Sequence, residues 1–247
     1  MNNTFDFNRF KKVVARDFYA TYSRFGLGIL ILSLLVVAVW IMSLVSGIPN
    51  YYLDPDINID TDLFYNNILG KRVAIIVFGV FLSVTIAPAI IYKSCNLKGR
   101  GNYYALLPAS NLEKYLSMFL HCCIVAPLAV ILGSLLVDTL LTLLPVGYFR
   151  DFIWNYDSWL FESEGCLLVI ANFLLNASIY MFTNTIFKKS KFIKTVLWLM
   201  LIGFVLLLTL PSSLRLINSY WTIFIVILVL SLVLQYFTYR RLKNMQY

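Results

Sequence analysis

The sequence predicts an all-α polytopic membrane protein, and three observations carry that prediction. Of its 247 residues, 60% are hydrophobic and only 13% charged, too apolar for a water-soluble domain. Six apolar runs follow one another, each near the ~20 residues that a helix needs to cross ~30 Å of hydrocarbon. Basic residues gather in alternate connecting segments, as loops on one side of a membrane require.

Residues 5–25 read as an amphipathic helix lying at the membrane interface. Phe7, Phe10, Val14, Phe18, Tyr22 and Phe25 recur at steps of three or four and form one apolar face. Arg9, Lys12 and Arg16 fall opposite, and Lys11 must snorkel from the apolar flank. A cleavable signal is not expected here, because this stretch is charged and aromatic and no small-residue cleavage site follows the first run.

The six predicted crossings are Gly26–Val45, Val73–Tyr92, Tyr115–Val137, Cys166–Phe187, Phe192–Leu210 and Tyr220–Tyr239. The third can run on through Leu144. Pro88 and Pro127 fall inside the second and third, where neighbours can satisfy the freed carbonyls. The chain thus divides into an interfacial helix (1–25), one six-helix transmembrane domain (26–239) and a short basic tail (240–247).

Charge orients the bundle. With both termini on one side, that side holds Arg9, Lys11, Lys12, Arg16, Arg24, Lys93, Lys98, Arg100, Lys114, Lys188, Lys189, Lys191, Lys194, Arg240, Arg241 and Lys243. The other side holds only Lys71, Arg72, Arg150 and Arg215, together with most of the acids. The rule that basic loops stay inside predicts cytoplasmic termini in the inner membrane. The same scatter of charge through short loops argues against nucleic-acid binding despite a net charge of +8.

Several chemistries find no support. The Asp-rich DPDINIDTD segment lacks the glycine and the twelfth-position glutamate of a calcium loop. Cys95, Cys122, Cys123 and Cys166 show neither a disulfide framework nor a zinc spacing, so His121-Cys122-Cys123 reads as packing. Trp154, Tyr156, Trp159 and Phe161 suit an aromatic belt or short re-entrant helices on the outer side. An intramembrane enzyme needs paired catalytic groups, and the single histidine has no carboxylate partner in sequence. No metal, cofactor or catalytic residue is expected.

The stretch from Lys93 to Lys114 is the informative one. Gly99-Arg100-Gly101 lets the chain turn, Asn102–Leu107 can form a short helix, and Pro108 stops it. Ser110-Asn111-Leu112-Glu113 has the spacing of a capping box, predicting that Ser110 starts the third crossing with Glu113 reaching back. Tyr103, Tyr104, Leu106 and Leu107 are too apolar for a free loop. They predict a cover: the chain's own N-terminal helix, lipid headgroups, or another protein.

This stretch resembles the corresponding loop of ABC-2 type transporter permeases, especially the short permeases common in Bacteroides-like bacteria. The resemblance rests on Leu107, Pro108, Ala109, Ser110, Asn111, Leu112, Glu113 and Lys114, on six crossings and on an amphipathic leader. It departs at Asn111, where many members carry a basic residue. The resemblance implies a coupling helix seated in a separate ATPase subunit, with Tyr103, Tyr104, Leu106, Leu107, Pro108, Ala109, Ser110, Asn111, Glu113 and Lys114 at that contact. It also implies a homodimer or heterodimer of permeases, surrounded by lipid and acting as an exporter. The chain has no G-x-x-x-x-G-K-[ST] loop, so ATP hydrolysis would belong to a partner chain. The alternative is a stand-alone membrane protein of immunity or signalling type, with no ATPase.

Inside the membrane, Asn172 and Asn176 share a helix face, followed by Asn184 and Thr185. They are expected to hydrogen-bond between helices, with substrate contact the second reading. Asp138, near the outer end of the third run, is the other substrate-path candidate. No further ionisable residue is expected at membrane depth, which argues against carriers driven through carboxylate relays.

Overall fold

The computed structural model describes residues 5–53, 61–93, 107–144, 152–153, 163–187, 193–197, 200 and 220–244. Every regular element among them is helical: α1 (Phe7–Ser33), α2 (Leu35–Leu53), α3 (Thr61–Ile91), α4 (Asn111–Leu120), a π-helical turn (His121–Val125), α5 (Ala126–Thr142), α6 (Ser163–Ile186) and α7 (Tyr220–Asn244). Five helical stretches are long and apolar enough to cross a membrane: Phe7–Val45, Asn67–Ile91, Asn111–Thr142, Cys166–Ile186 and Phe224–Asn244. They coincide with five of the six predicted crossings. The remaining run, Phe192–Leu210, lies outside the described residues except for a helical turn at 193–197 and Met200.

The amphipathic leader runs without a break into the first part of the first crossing, since α1 passes Gly26 and ends at Ser33. Ser33 Oγ bonds back to the Ile29 carbonyl, a contact that bends helices. The chain then tightens through Val37 N to Leu34 O and continues as α2. The face of α1 turned to the protein is Val13, Asp17, Thr21 and Phe25, all buried. Three members of the predicted apolar face, Phe7, Phe18 and Tyr22, are exposed instead. An apolar face turned away from the chain's own core is what a helix against lipid presents.

Pro127 lies within one turn of the π-helical turn. Proline lacks an N–H, and its ring clashes with the carbonyl four residues earlier, here that of Cys123. The extra residue of a π-turn relieves such a clash. Pro88, buried in α3, removes the corresponding bond to Val84.

Two compact units make up the chain. One contains residues 26–83 and 126–159, so the end of α1, α2, the earlier part of α3 and α5. Its helices approach closely at Gly133, where any side chain would meet Ser33, and at Gly79, which sits against the Leu32 carbonyl and Val130. The other contains residues 1–25, 84–125 and 160–247. There α6 and α7 pack along one another, and Tyr115 on α4 meets Tyr239 on α7 edge-on at 5.7 Å. Leu27, Leu30, Met42, Leu132, Leu136, Val226 and Leu232 are among many large apolar residues left exposed. A water-soluble protein does not display apolar surface on that scale, whereas lipid-facing helices must.

The Asp-rich segment, apart from backbone at 61–62, and the aromatic outer stretch Trp154–Phe161 lie outside the described residues. So does the predicted short helix Asn102–Leu107 up to Leu106.

Candidate functional site

The start of α4 is built as the capping box predicts. Ser110 Oγ accepts from Glu113 N at 3.2 Å, and Glu113 Oε2 accepts from Ser110 N at 2.9 Å. The other carboxylate oxygen reaches further than the sequence indicated. Glu113 Oε1 accepts from Asp6 N at 2.8 Å and from Arg9 Nη2 at 3.2 Å. One fully buried carboxylate therefore caps α4 and holds the first residues before α1. Ionised acceptors make the stronger hydrogen bonds, so the two helix starts are fastened together.

A second cluster lies further along α1. Asp17, 1% exposed, accepts from Tyr92 hydroxyl at 3.1 Å and from Ser117 Oγ at 2.7 Å through Oδ2. Through Oδ1 it accepts from Arg16 Nε and Nη2. Arg24 adds a third tie, donating to the Ile91 carbonyl at 2.8 Å, where a cation suits the end of α3. The N-terminal helix is thus bound by polar contacts to the end of α3 and the start of α4.

His121 continues the polar stripe of α4. Its Nδ1 lies 2.8 Å from the Ser117 carbonyl, which can only accept, so Nδ1 carries the proton. Among the described residues Nε2 is buried without a hydrogen-bond partner, as are both amide atoms of Asn184 on α6. Among the described residues no three or more His, Cys, Asp or Glu are arranged to hold a metal. Cys122 is buried and Cys123 Sγ packs 3.9 Å from Met181 Sδ.

Of the residues assigned to the loop contact, Tyr103, Tyr104 and Leu106 lie outside the described residues. Leu107 and Asn111 are half-buried and Pro108 is exposed, whereas Ala109, Ser110, Glu113 and Lys114 are buried. Glu113 and Lys114 are therefore withdrawn from the surface within the chain itself. That leaves Leu107, Pro108 and Asn111 as the described members open to a partner.

The substrate-path candidates separate. Asn172 Nδ2 donates to the Leu168 carbonyl and Asn176 Nδ2 to the Asn172 carbonyl, so each of these amide nitrogens bonds within its own helix. A polar bond between α6 and α7 runs from Gln235 Nε2 to Ser178 Oγ at 3.1 Å. Asp138 belongs to the other compact unit and is fully buried against Arg72. The guanidinium grips it twice, Nε to Oδ1 at 2.8 Å and Nη2 to Oδ2 at 2.6 Å.

That pair corrects the expectation that the spans hold no ionisable residue besides Asp138. Arg72 precedes the apolar run that begins at Val73, but α3 starts at Thr61, so Arg72 sits well inside a helix and is 1% exposed. Hydropathy marks where lipid-compatible residues begin, not where a helix begins. Asp17 was missed for a related reason: a lone acid on the polar side of an amphipathic helix reads as solvated. The signal was there in the spacing Val13, Asp17, Thr21, Phe25, and in the polar stripe Ser110, Glu113, Ser117, His121 through an apolar run.

The fold and this geometry define an all-α polytopic membrane protein. Comparison with family models, with curated proteins and with solved structures found no match.

Proposed function

We propose that this chain is the membrane-spanning permease subunit of an ABC-2 type transporter, an exporter that is not itself an enzyme. A separate ATPase subunit docks on the 93–114 loop, and two permease chains, alike or different, form the channel. The chain lies in the inner membrane with both termini in the cytoplasm. The observation that supports this reading is the Glu113 latch, in which one buried carboxylate joins the segment after the loop to the N-terminal helix. A loop that receives force must pass it to rigid elements, and a cap shared between two helix starts supplies that rigidity. Leu107, Pro108 and Asn111, beside the latch residues Ser110 and Glu113, are the described residues that meet the ATPase.

For the substrate path the reading keeps Asn172 and Asn176, half-buried on α6, and assigns Asp138 a structural role because Arg72 neutralises it. The test is co-purification of the tagged chain with a partner that hydrolyses ATP. Leu106→Asp with Leu107→Asp should abolish ATP hydrolysis in the purified material while leaving the thermal unfolding of the chain unchanged. A purified chain with no ATPase activity before substitution favours the stand-alone membrane protein. Labelling of a cysteine placed at Leu107 only from the periplasmic side would overturn the orientation.

A further inference from the structure

The packed ends of α6 and α7 enclose a groove of about 360 Å³ lined by Phe182, Ile186, Phe237, Arg240, Arg241 and Asn244. Its two halves differ chemically. Phe182 and Ile186 are one turn apart on α6, and Phe237 faces Phe182 across the groove with ring centroids 6.3 Å apart. Along α7, Phe237, Arg240, Arg241 and Asn244 fall at i, i+3, i+4 and i+7, one face of the helix. The apolar wall therefore lies one turn deeper along α7 than the two arginines, and Arg241 is in the last turn of the helix. Among the described residues no carboxylate forms an ion pair with Arg240 or Arg241. Both are exposed.

We infer that this groove binds one anionic phospholipid from the surrounding leaflet, its phosphate between Arg240 and Arg241 and its acyl chain along Phe182, Ile186 and Phe237. Guanidinium groups match phosphate oxygens in a two-pronged geometry, and two of them side by side complement one headgroup. Basic pockets between transmembrane helices near the membrane surface are suited to acidic headgroups. The apolar wall is what selects a lipid over free phosphate: Ile186 and Phe237 are 38% and 44% exposed and need an apolar cover at the depth where acyl chains begin. This assignment does not depend on an ATPase partner.

The experiment titrates the full-length chain in detergent with dioleoylphosphatidylglycerol and reads the bound fraction by native mass spectrometry. Dioleoylphosphatidylcholine and inorganic phosphate serve as separate arms. Phosphatidylglycerol should bind with a stoichiometric site, phosphatidylcholine much more weakly, and millimolar phosphate should not displace the lipid. Arg240→Gln with Arg241→Gln should weaken phosphatidylglycerol binding about thirtyfold, at about fivefold for each basic side chain near the surface. Lys243→Gln removes the same charge from the same helix end but does not line the groove, and should weaken binding less than either arginine substitution alone. Phe237→Ala should weaken both lipids alike by removing part of the acyl wall. Equal loss from Lys243→Gln, equal binding of the two lipids, displacement by phosphate, or no effect of Phe237→Ala would each overturn the site.

Discussion

Arg72 and Asp138 stand 66 residues apart in sequence and meet as a two-pronged ion pair. Thr142 completes the group, its hydroxyl accepting from Arg72 Nη2 at 3.1 Å and donating to the Asp138 carbonyl at 2.8 Å. Two charges removed from water are tolerable only with such complete pairing. Together they tie α3 to α5 within one compact unit.

The first prediction concerns that tie. Asp138→Ala alone should destabilise the chain by about 3–5 kcal/mol, because it strands a buried guanidinium. Arg72→Met alone should cost a similar amount by stranding the carboxylate. Arg72→Met combined with Asp138→Ala should be more stable than the sum of the two single losses allows, since no charge is left buried. Unfolding of the purified chain in detergent, followed by circular dichroism, measures all three. Additive losses in the double variant would mean that the two groups are not coupled.

The second prediction concerns the latch at Glu113. Ser110→Ala removes only the hydroxyl acceptor of the cap and should cost about 1 kcal/mol. Glu113→Ala removes the acceptor for Ser110 N, Asp6 N and Arg9 together, so it should cost more, about 2–3 kcal/mol. It should also free the N-terminal segment. Limited trypsin digestion at Arg9, Lys11 and Lys12 should therefore accelerate in Glu113→Ala and not in Ser110→Ala. Equal digestion of the two variants would show that Glu113 does not hold the N-terminus.

The third prediction concerns the Asp17 cluster. Asp17→Asn keeps the shape but loses the charge that Arg16, Tyr92 and Ser117 all address, at a cost of about 2–3 kcal/mol. Tyr92→Phe and Ser117→Ala each remove one neutral donor and should cost about 1 kcal/mol apiece. Because the donors share Oδ2, the pair should be non-additive in a double-mutant cycle read by thermal unfolding.

What the sequence made legible and what it hid divide along physical lines. Crossings were legible because lipid compatibility is a property of composition, and five described helical spans match predicted runs. The cap at Ser110 was legible because donor and acceptor are three residues apart, within one helical turn. Arg72 with Asp138, Asp17 with Ser117, and Glu113 with Asp6 join residues 66, 100 and 107 positions apart. No local spacing announces such partners. The outward turn of Phe7, Phe18 and Tyr22 was hidden differently: in a membrane protein an apolar stripe can face lipid, so the buried face of α1 is the more polar one, marked by Asp17 and Thr21.

The fourth prediction tests close helix approach through two glycines that the sequence treats alike. An added methyl at Gly133 would overlap Ser33 Oγ and lie 3.0 Å from Ser33 Cβ. At Gly79 it would meet the Leu32 carbonyl at 3.5 Å and Val130 at 3.7 Å, ordinary contact distances. Gly133→Ala should therefore destabilise by about 1–3 kcal/mol, as overpacking does. Gly79→Ala should be neutral or stabilising by up to about 1 kcal/mol, since alanine is the better helix former. Ser33 Oγ is already engaged with Ile29, so it cannot swing clear without losing that bond. Ser33→Ala combined with Gly133→Ala should recover part of the loss, because the overlapping oxygen is gone while the tight Cβ contact stays. Thermal unfolding of the three variants separates these outcomes. A harmless Gly133→Ala would mean that the two helices stand further apart at Ser33 than the structure places them.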